Sequence, residues 1–282
     1  MNLQNSVYNK ILLHLKAKES FDFEAYKLPM LIRRIDNRIL RMHFGTPELY
    51  YTLLQNNQEE AKELVNNFMI NVSQFFRDSY TFEVIKKRIL PELITQTIAA
   101  GRNSLRVWSA GCARGEEAYS LAILIDEYCK KEKLEIDVDI FATDYDSSAL
   151  EFAKKGEYDQ SSVEEVKLKY LKQFFKQTND KYIINTVLKN KVHFSQYNLL
   201  DQNSYAPSDS IYGEFDLILC RNVLIYFNEE YQNLIFEKLY KSCIMDGILI
   251  LGDAEIPPKH FGNKFQQIDD FCKTYRKKHN GH

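Results

Sequence analysis

A chain of 282 residues with 45% hydrophobic content is long enough for one large domain or two modest ones around a real core. Its 37 lysines and arginines nearly balance 39 aspartates and glutamates, so overall charge selects neither nucleic acid nor a membrane surface as a general partner. Five cysteines (Cys112, Cys129, Cys220, Cys243 and Cys272), odd in number and without a C-x-x-C pair, read as reduced thiols of a cytoplasmic protein with no metal site. No apolar run approaches the roughly 20 residues of a membrane span, and no signal-type segment is expected.

Residues 1 to about 95 hold a single glycine, Gly45, and carry apolar residues at helical spacing in VYNKILLHL, YKLPMLIRRIDNRIL and EAKELVNNFMI. The spacing predicts a helical N-terminal domain over 1–95. Between Tyr26 and Gly45 five bases (Lys27, Arg33, Arg34, Arg38, Arg41) stand against one acid, Asp36. Arg34, Arg38 and Arg41 fall at i, i+4 and i+7, on one helix face. Such a stripe on a neutral protein suits an acidic, elongated partner, although most charged helix faces are merely solvated.

From 96 to 282 short β-rich runs alternate with helical ones, with GRNS at 101–104 as the expected hinge. LRVWSA, VDIFATD, KVHFSQYNLL, FDLILC and ILILGDAE read as strands, and EEAYSLAILIDEYCK, SSALEFAKKG and EEYQNLIFEKLYKSC as helices. That alternation predicts an α/β domain with a mostly parallel sheet. FDLILC has no polar face except its aspartate, as a strand buried on both sides should. Over about 157–191 the alternation breaks, and Asn179-Asp180 marks a hairpin turn inside a small β insertion. The residues alone favour a solvated excursion there over an exposed edge for an extended peptide.

The stretch LRVWSAGCARGEEAYSLAI, residues 105–123, reads as strand, glycine loop and helix. Its G-x-x-x-G spacing departs from the dinucleotide fingerprint G-x-G-x-x-G, and Glu116 and Glu117 at the helix start would repel a pyrophosphate. A nucleoside cofactor without phosphates fits better. S-adenosylmethionine has an amino acid group, a sulfonium and a ribose, and Asp144 at the end of VDIFATD is placed to accept from ribose hydroxyls.

Six motifs then occur in order: NVSQFFRD (71–78), VWSAGCARGEEAYSLA (107–122), FATDYDSSALEFAKKGEY (141–158), NLL (198–200), FDLILCRNVLIYF (215–227) and GILILGDAE (247–255). Over nearly the whole chain they resemble the CheR family of chemotaxis receptor glutamate O-methyltransferases. The resemblance implies a Rossmann-like class I S-adenosylmethionine-dependent methyltransferase fold with an all-α N-terminal domain and a small β-subdomain insertion. It implies S-adenosylmethionine as cofactor, with S-adenosylhomocysteine as product. Asn71, Ser73 and Arg77 match the N-x-T-x-F-F-R motif, Gly111 and Glu117 the glycine loop and its following acid, and Asp144 the ribose acid. Asn198 and Leu199 match the adenine-side pair, and Arg221 and Asn222 the strand-end C-R-N. The chain departs from the family at Ser73, which replaces Thr and keeps the hydroxyl. It departs again at Ala113, Arg114 and Ala118, which replace Ser, Thr and Pro; Arg114 is left either outward-facing or paired with Glu116 or Glu117.

The implied reaction carries a methyl group to a glutamate carboxylate. With an unperturbed pKa of about 4.3 that group is already ionised at neutral pH, so no general base is required. Arg77 is the candidate for holding the acceptor carboxylate, against the plain alternative of pairing with Asp78 or Glu83. Tyr226 is the candidate for positioning it, against that of a core aromatic. Arg34, Arg38 and Arg41 become substrate-binding candidates, with the cytoplasmic signalling domains of methyl-accepting receptors as partner. A receptor C-terminal peptide at the β-subdomain is a further candidate partner. Nucleic acid, membrane insertion and a metal are not expected, and a monomer is. The alternative is a catalytically weak S-adenosylmethionine-binding scaffold or sensor.

Overall fold

The computed structural model describes residues 6–19, 21–69, 73–210 and 213–278. Its contacts divide it into two compact units, Met1–Ile70 with Tyr226–Gln232, and Asn71–Ile225 with Asn233–His282.

The first unit is built from α1 (Val7–Glu19), α2 (Leu28–Arg41), α3 (Pro47–Asn56) and α4 (Gln58–Phe68). Helix starts follow local chemistry. Pro29 lies in the first turn of α2, Thr46 caps α3 ahead of Pro47, and the Asn57 side chain accepts from the Glu60 amide at 3.0 Å to cap α4. Ile11, Leu15, Leu31, Ile35, Leu54 and Leu64 are fully buried or nearly so and form the centre of its core. The segment after Tyr226 joins this unit through backbone bonds. Lys27 N–H donates to the Tyr226 carbonyl at 2.9 Å and Asn228 N–H to Ala25 at 2.9 Å, and the Tyr26 and Phe227 rings lie 4.9 Å apart.

The basic face of α2 is divided in its duties. Arg38 grips Glu60 of α4 with two bonds, 2.9 Å from Nε and 2.7 Å from Nη2, while the Tyr50 hydroxyl donates to the same carboxylate at 2.5 Å. Glu60 is buried, so this pair staples α2, α3 and α4 together. Arg34 is half-buried and donates to the Asn67 carbonyl at 3.2 Å. Arg41, and Arg33 beside the stripe, are exposed.

In the second unit a helical stretch runs through α5 (Ser79–Val84), a π-helical turn (Ile85–Ile89) and α6 (Leu90–Ala99). The π turn precedes Pro91, which has no N–H to give the preceding turn, and the Leu90 amide reaches back five residues to the Ile85 carbonyl. Apolar spacing grouped the residues up to about 95 with the N-terminal helices. They pack instead onto this unit, where Phe82, Ile85, Ile89 and Leu93 join the core beneath the sheet, and the division falls between Ile70 and Asn71.

The chain continues through β1 (Ser104–Ala110), α7 (Glu116–Glu132), β2 (Asp137–Asp144) and α8 (Ser147–Lys155). Then come β3 (Glu157–Asp159), α9 (Leu168–Phe174), β4 (Phe175–Thr178), β5 (Lys181–Ile184), α10 (Thr186–Lys189) and β6 (Val192–Gln196). It ends with β7 (Phe215–Cys220), α11 (Glu229–Ser242), β8 (Cys243–Leu251), β9 (Phe265–Asp269) and β10 (Thr274–Lys277). Among the described residues a seven-stranded sheet has the order β6-β2-β1-β7-β8-β10-β9. Strands β6 to β8 run parallel, and β10 and β9 close one side antiparallel. The β9–β10 hairpin was not foreseen: FQQID and TYRK are short and largely polar, as suits a sheet edge.

Every residue of β7 is buried, and its aspartate, Asp216, is satisfied by Arg102 Nη2 at 2.7 Å and the Arg106 amide at 2.9 Å. The Arg102 bond ties GRNS down, so 101–104 is an anchored turn within the unit and not a hinge. The insertion is a second, three-stranded antiparallel sheet of order β3-β5-β4, with the hairpin turning at Asn179, φ +52°. Among the described residues no helix is long and apolar enough to cross a membrane.

Because removing one member of a buried ion pair leaves the other uncompensated, Arg38→Ala should destabilise the helical unit by about 3 kcal/mol. Urea unfolding of the full chain, followed by a probe in residues 6–69, measures it.

Candidate active site

The carboxyl ends of β1, β2 and β7 bring the sequence candidates together. After β1 the chain turns at Gly111, φ +80°, and the Gly111 and Cys112 amides both donate to the Thr143 carbonyl at 2.8 and 2.9 Å. That conformation is costly for other residues. A Cβ on Gly111 would also lie 2.4 Å from Val223 Cγ2, so the loop and the turn after β7 close on one another at this point. Helix α7 then starts at Glu116, with Gly115 in the left-handed region before it.

Asp144 ends β2 with both carboxylate oxygens oriented by backbone. The Ala113 amide donates to Oδ2 at 2.8 Å and the Asp146 amide to Oδ1 at 3.0 Å. Burial raises its pKa while these amides oppose the shift. Each oxygen keeps acceptor capacity for a further donor, such as a ribose hydroxyl. The Tyr197 amide donates to the Asp144 carbonyl at 3.0 Å, which brings Asn198 and Leu199 beside the same strand end. Asn198 is exposed and accepts from the Leu200 amide at 2.9 Å, and Leu199 is buried.

Glu117 is held from two sides, by the Ser109 hydroxyl at 2.7 Å and Arg221 Nη1 at 3.1 Å. The Arg221 guanidinium is buried, and its Nη2 also donates to Asp78 Oδ2 at 2.6 Å and the Arg77 carbonyl at 3.0 Å. The 73–78 segment is thereby pinned to the sheet ends in a conformation with Phe76 and Asp78 at φ +55° and +58°. The Phe76 amide is satisfied by the Ser120 hydroxyl at 3.0 Å. Asp78 pairs with Arg221, and Glu83 with Lys87 and Lys167.

Ser73 stands beside the carboxyl of Glu116, the first acid of the helix, and favours its charged form. Glu116 is buried, and its Oε2 lacks any hydrogen-bond partner among the described residues. Burial pushes its pKa up to about 7, opposed by Arg114 and Ser73. Arg114 is exposed, with its guanidinium 5.0 Å over the Phe152 ring, and its carbonyl accepts from the Tyr158 hydroxyl at 2.7 Å.

Not every candidate lies here. Asn71 falls outside the described residues. Tyr226, in a short 3-10 turn (Leu224–Tyr226), is counted with the helical unit, as are Arg34, Arg38 and Arg41. Its phenol and the Arg34 guanidinium interact electrostatically.

One organising residue was quoted in the sequence without a role. Glu255, the last residue of GILILGDAE, is buried and accepts five backbone amides. Oε2 takes Gly252 at 2.7 Å and Asn222 at 2.9 Å; Oε1 takes Val223 at 2.8 Å, Leu224 at 2.7 Å and Ile225 at 3.3 Å. The turn after β7 folds around this carboxylate, with Asn222 at φ +58°. The available signal was an acid three residues beyond a strand-end glycine.

The donor set fits S-adenosylmethionine. Oriented carboxylates at Asp144 and Glu117 can receive hydroxyl and ammonium protons, and the glycine turn lets backbone approach a ligand outside the strand ends. Comparison with known proteins agrees. The family model for the CheR methyltransferase SAM binding domain matches residues 71–271, and that for the CheR methyltransferase all-alpha domain matches residues 6–69. A chemotaxis protein methyltransferase of Borreliella burgdorferi is 31% identical over 255 residues, 88% of this chain and 84% of that one. Chemotaxis protein methyltransferase 1 of Pseudomonas aeruginosa is 38% identical over 207 residues, 72% of each chain. The Listeria innocua chemotaxis protein methyltransferase is 32% identical over 250 residues, 88% and 90%. Fold and site thus define a Rossmann-like, class I S-adenosylmethionine-dependent methyltransferase with an all-α N-terminal part. Within that class, the chain belongs to the CheR methyltransferase family.

The raised pKa of Glu116 has a stability consequence. Its folded value of about 7 lies above the ordinary 4.5, so its contribution is fully present below about pH 4.5 and is lost as pH rises through about 7. Glu116→Gln, which keeps the shape without the charge, should be more stable than the parent above about pH 8, by up to about 3 kcal/mol. The two should nearly converge at about pH 5, as urea unfolding at both pH values would read.

Proposed function

We propose that this chain transfers the methyl group of S-adenosylmethionine to glutamate side chains in the cytoplasmic signalling domains of chemotaxis receptors, forming methyl esters. The observation that carries this reading is the presence of both CheR domains in one chain: a cofactor domain with paired strand-end carboxylates, and an all-α domain that exposes arginines on α2.

When bound, the cofactor supplies an electrophilic methyl group on a sulfonium. Asp144 would accept from its ribose hydroxyls, Glu117 would take its ammonium, Asn198 and Leu199 would border its adenine, and Ser73 would line the site, with Asn71, which lies outside the described residues, as a further candidate. The acceptor carboxylate needs no deprotonation at neutral pH, so the protein's work is to hold it, align it and exclude water. Orientation alone can supply about 7–11 kcal/mol. Arg77 would bind the incoming carboxylate by a charge-assisted bond, and Tyr226 would position it.

The receptor is met by α2. Arg38 is committed to Glu60, so the exposed Arg33 and Arg41 carry the steering charge. The three-stranded sheet of the insertion leaves β4 as an edge, with Lys176 exposed, suited to adding a strand from a receptor's C-terminal segment.

Incubation with methyl-labelled cofactor and receptor signalling fragments should yield label that alkali releases, since carboxylate methyl esters hydrolyse in base and methylated amines do not. Label that survives alkali, or cofactor binding with no transfer, would overturn the proposal and favour a scaffold. Replacing Arg33 and Arg41 together by Glu should raise KM for the receptor by about tenfold at low salt. KM for the cofactor should stay unchanged in the same steady-state assay.

A further inference from the structure

We propose that Glu255 is a positioning residue for cofactor binding: its carboxylate is the template on which the turn Asn222–Ile225 folds, and through that turn it sets Arg221 on Glu117 and Val223 against Gly111. The proposal rests on the reading that the strand-end cluster holds the cofactor, and on no assumption about the methyl acceptor.

Four consecutive amides, those of Asn222 to Ile225, point at this one carboxylate, and the Gly252 amide joins them from the end of β8. Consecutive N–H groups converging in this way form an anion-binding nest, and the anion here is supplied by the chain itself. Without it several amides in a turn that includes the buried Leu224 would lose their acceptor. The turn also needs outside support, because Asn222 sits at φ +58°, a region that a non-glycine residue rarely adopts unaided.

Two contacts carry the turn's position to the cofactor loop. Arg221, one residue before the nest, donates to Glu117 at 3.1 Å. Val223, inside it, occupies the space beside Gly111, so closely that a Cβ there would be 2.4 Å from Val223 Cγ2. A shift of the turn therefore displaces both the acid at the start of α7 and the glycine that lets backbone approach the ligand. Gly252 is the other fixed point. A Cβ on it would meet the Asn222 amide nitrogen and Glu255 Oε2, each at 2.8 Å.

The test uses the full-length chain, with dissociation constants for S-adenosylmethionine and S-adenosylhomocysteine measured by calorimetry well below each variant's melting temperature and with no acceptor present. Glu255→Gln places an amide donor among amide donors and should weaken both cofactors by about tenfold or more. Leu239→Ala, a fully buried core change in α11, serves as the control for lost stability alone and should leave both constants within about twofold. Gly252→Ala, which wedges the nest while keeping every charge, should weaken binding in the same sense and decides the matter if Glu255→Gln does not fold. A folded Glu255→Gln with parental constants would overturn the proposal. So would Gly252→Ala with parental constants, or Leu239→Ala weakening the cofactors as much as Glu255→Gln. Failure to methylate a receptor fragment would leave this outcome untouched.

Discussion

The Arg221 guanidinium is the interaction around which the catalytic unit is arranged. A buried cation is costly unless it is paired, and here acceptors for its two terminal nitrogens come from separate parts of the chain: Glu117 at the start of α7, and Asp78 with the Arg77 carbonyl in the segment before α5, while Nε has no partner among the described residues. Because Arg221 immediately follows β7, the electrostatics of one side chain lock two motifs, far apart in sequence, to the end of a central strand. The left-handed residues Phe76, Asp78 and Asn222 cluster in these same segments. Local strain is tolerated there because the ion pairs and the amide–carboxylate bonds over-determine the conformation.

A second pattern is the concentration of acids at the strand ends. Asp144 ends β2, Glu116 and Glu117 open α7, and Glu255 lies in the turn after β8, and they are held in three different ways. Asp144 and Glu255 are held by backbone amides, Glu117 by a hydroxyl and a guanidinium, and Glu116 by burial that favours its neutral form. The carboxylates of Asp144 and Glu117 oppose a phosphate and favour a cationic ligand. This is the physical reason that a glycine loop superficially like a dinucleotide site belongs to a sulfonium cofactor instead.

Much of this was legible in the sequence. The alternation of strand and helix patterns, the buried run FDLILC and the Asn179-Asp180 turn each had a local cause, and each appears in the structure. So do the placements of Glu117 at the start of a helix and of Asp144 at the end of a strand. What escaped was set by tertiary contacts. The helical stretch through residue 99 has the same apolar period as α1 to α4, and only its packing partner assigns it to the sheet. Arg34, Arg38 and Arg41 share one face by spacing, yet Glu60, twenty-two positions from Arg38, decides that one of them is internal. Glu255 accepts from amides some thirty positions away, a relation that no local pattern encodes. The β9–β10 edge hairpin was lost to short, polar strands whose partner, β8, precedes them by more than ten residues.

The π turn before Pro91 fixes more than a hydrogen-bond pattern. An α-helix advances its side chains by about 100° per residue, whereas a π turn winds one residue more into a single turn, so Phe82 on one side and Leu93 on the other keep a common face although an extra residue lies between them. A chain shortened by one position within Ile85–Ile89 would wind as regular α-helix and still present Leu93 and Ile94 to the core, but it would bring the Pro91 ring against the carbonyl four residues before it. Length in this stretch is therefore coupled to the proline, and a deletion here is compatible with the fold only together with replacement of Pro91.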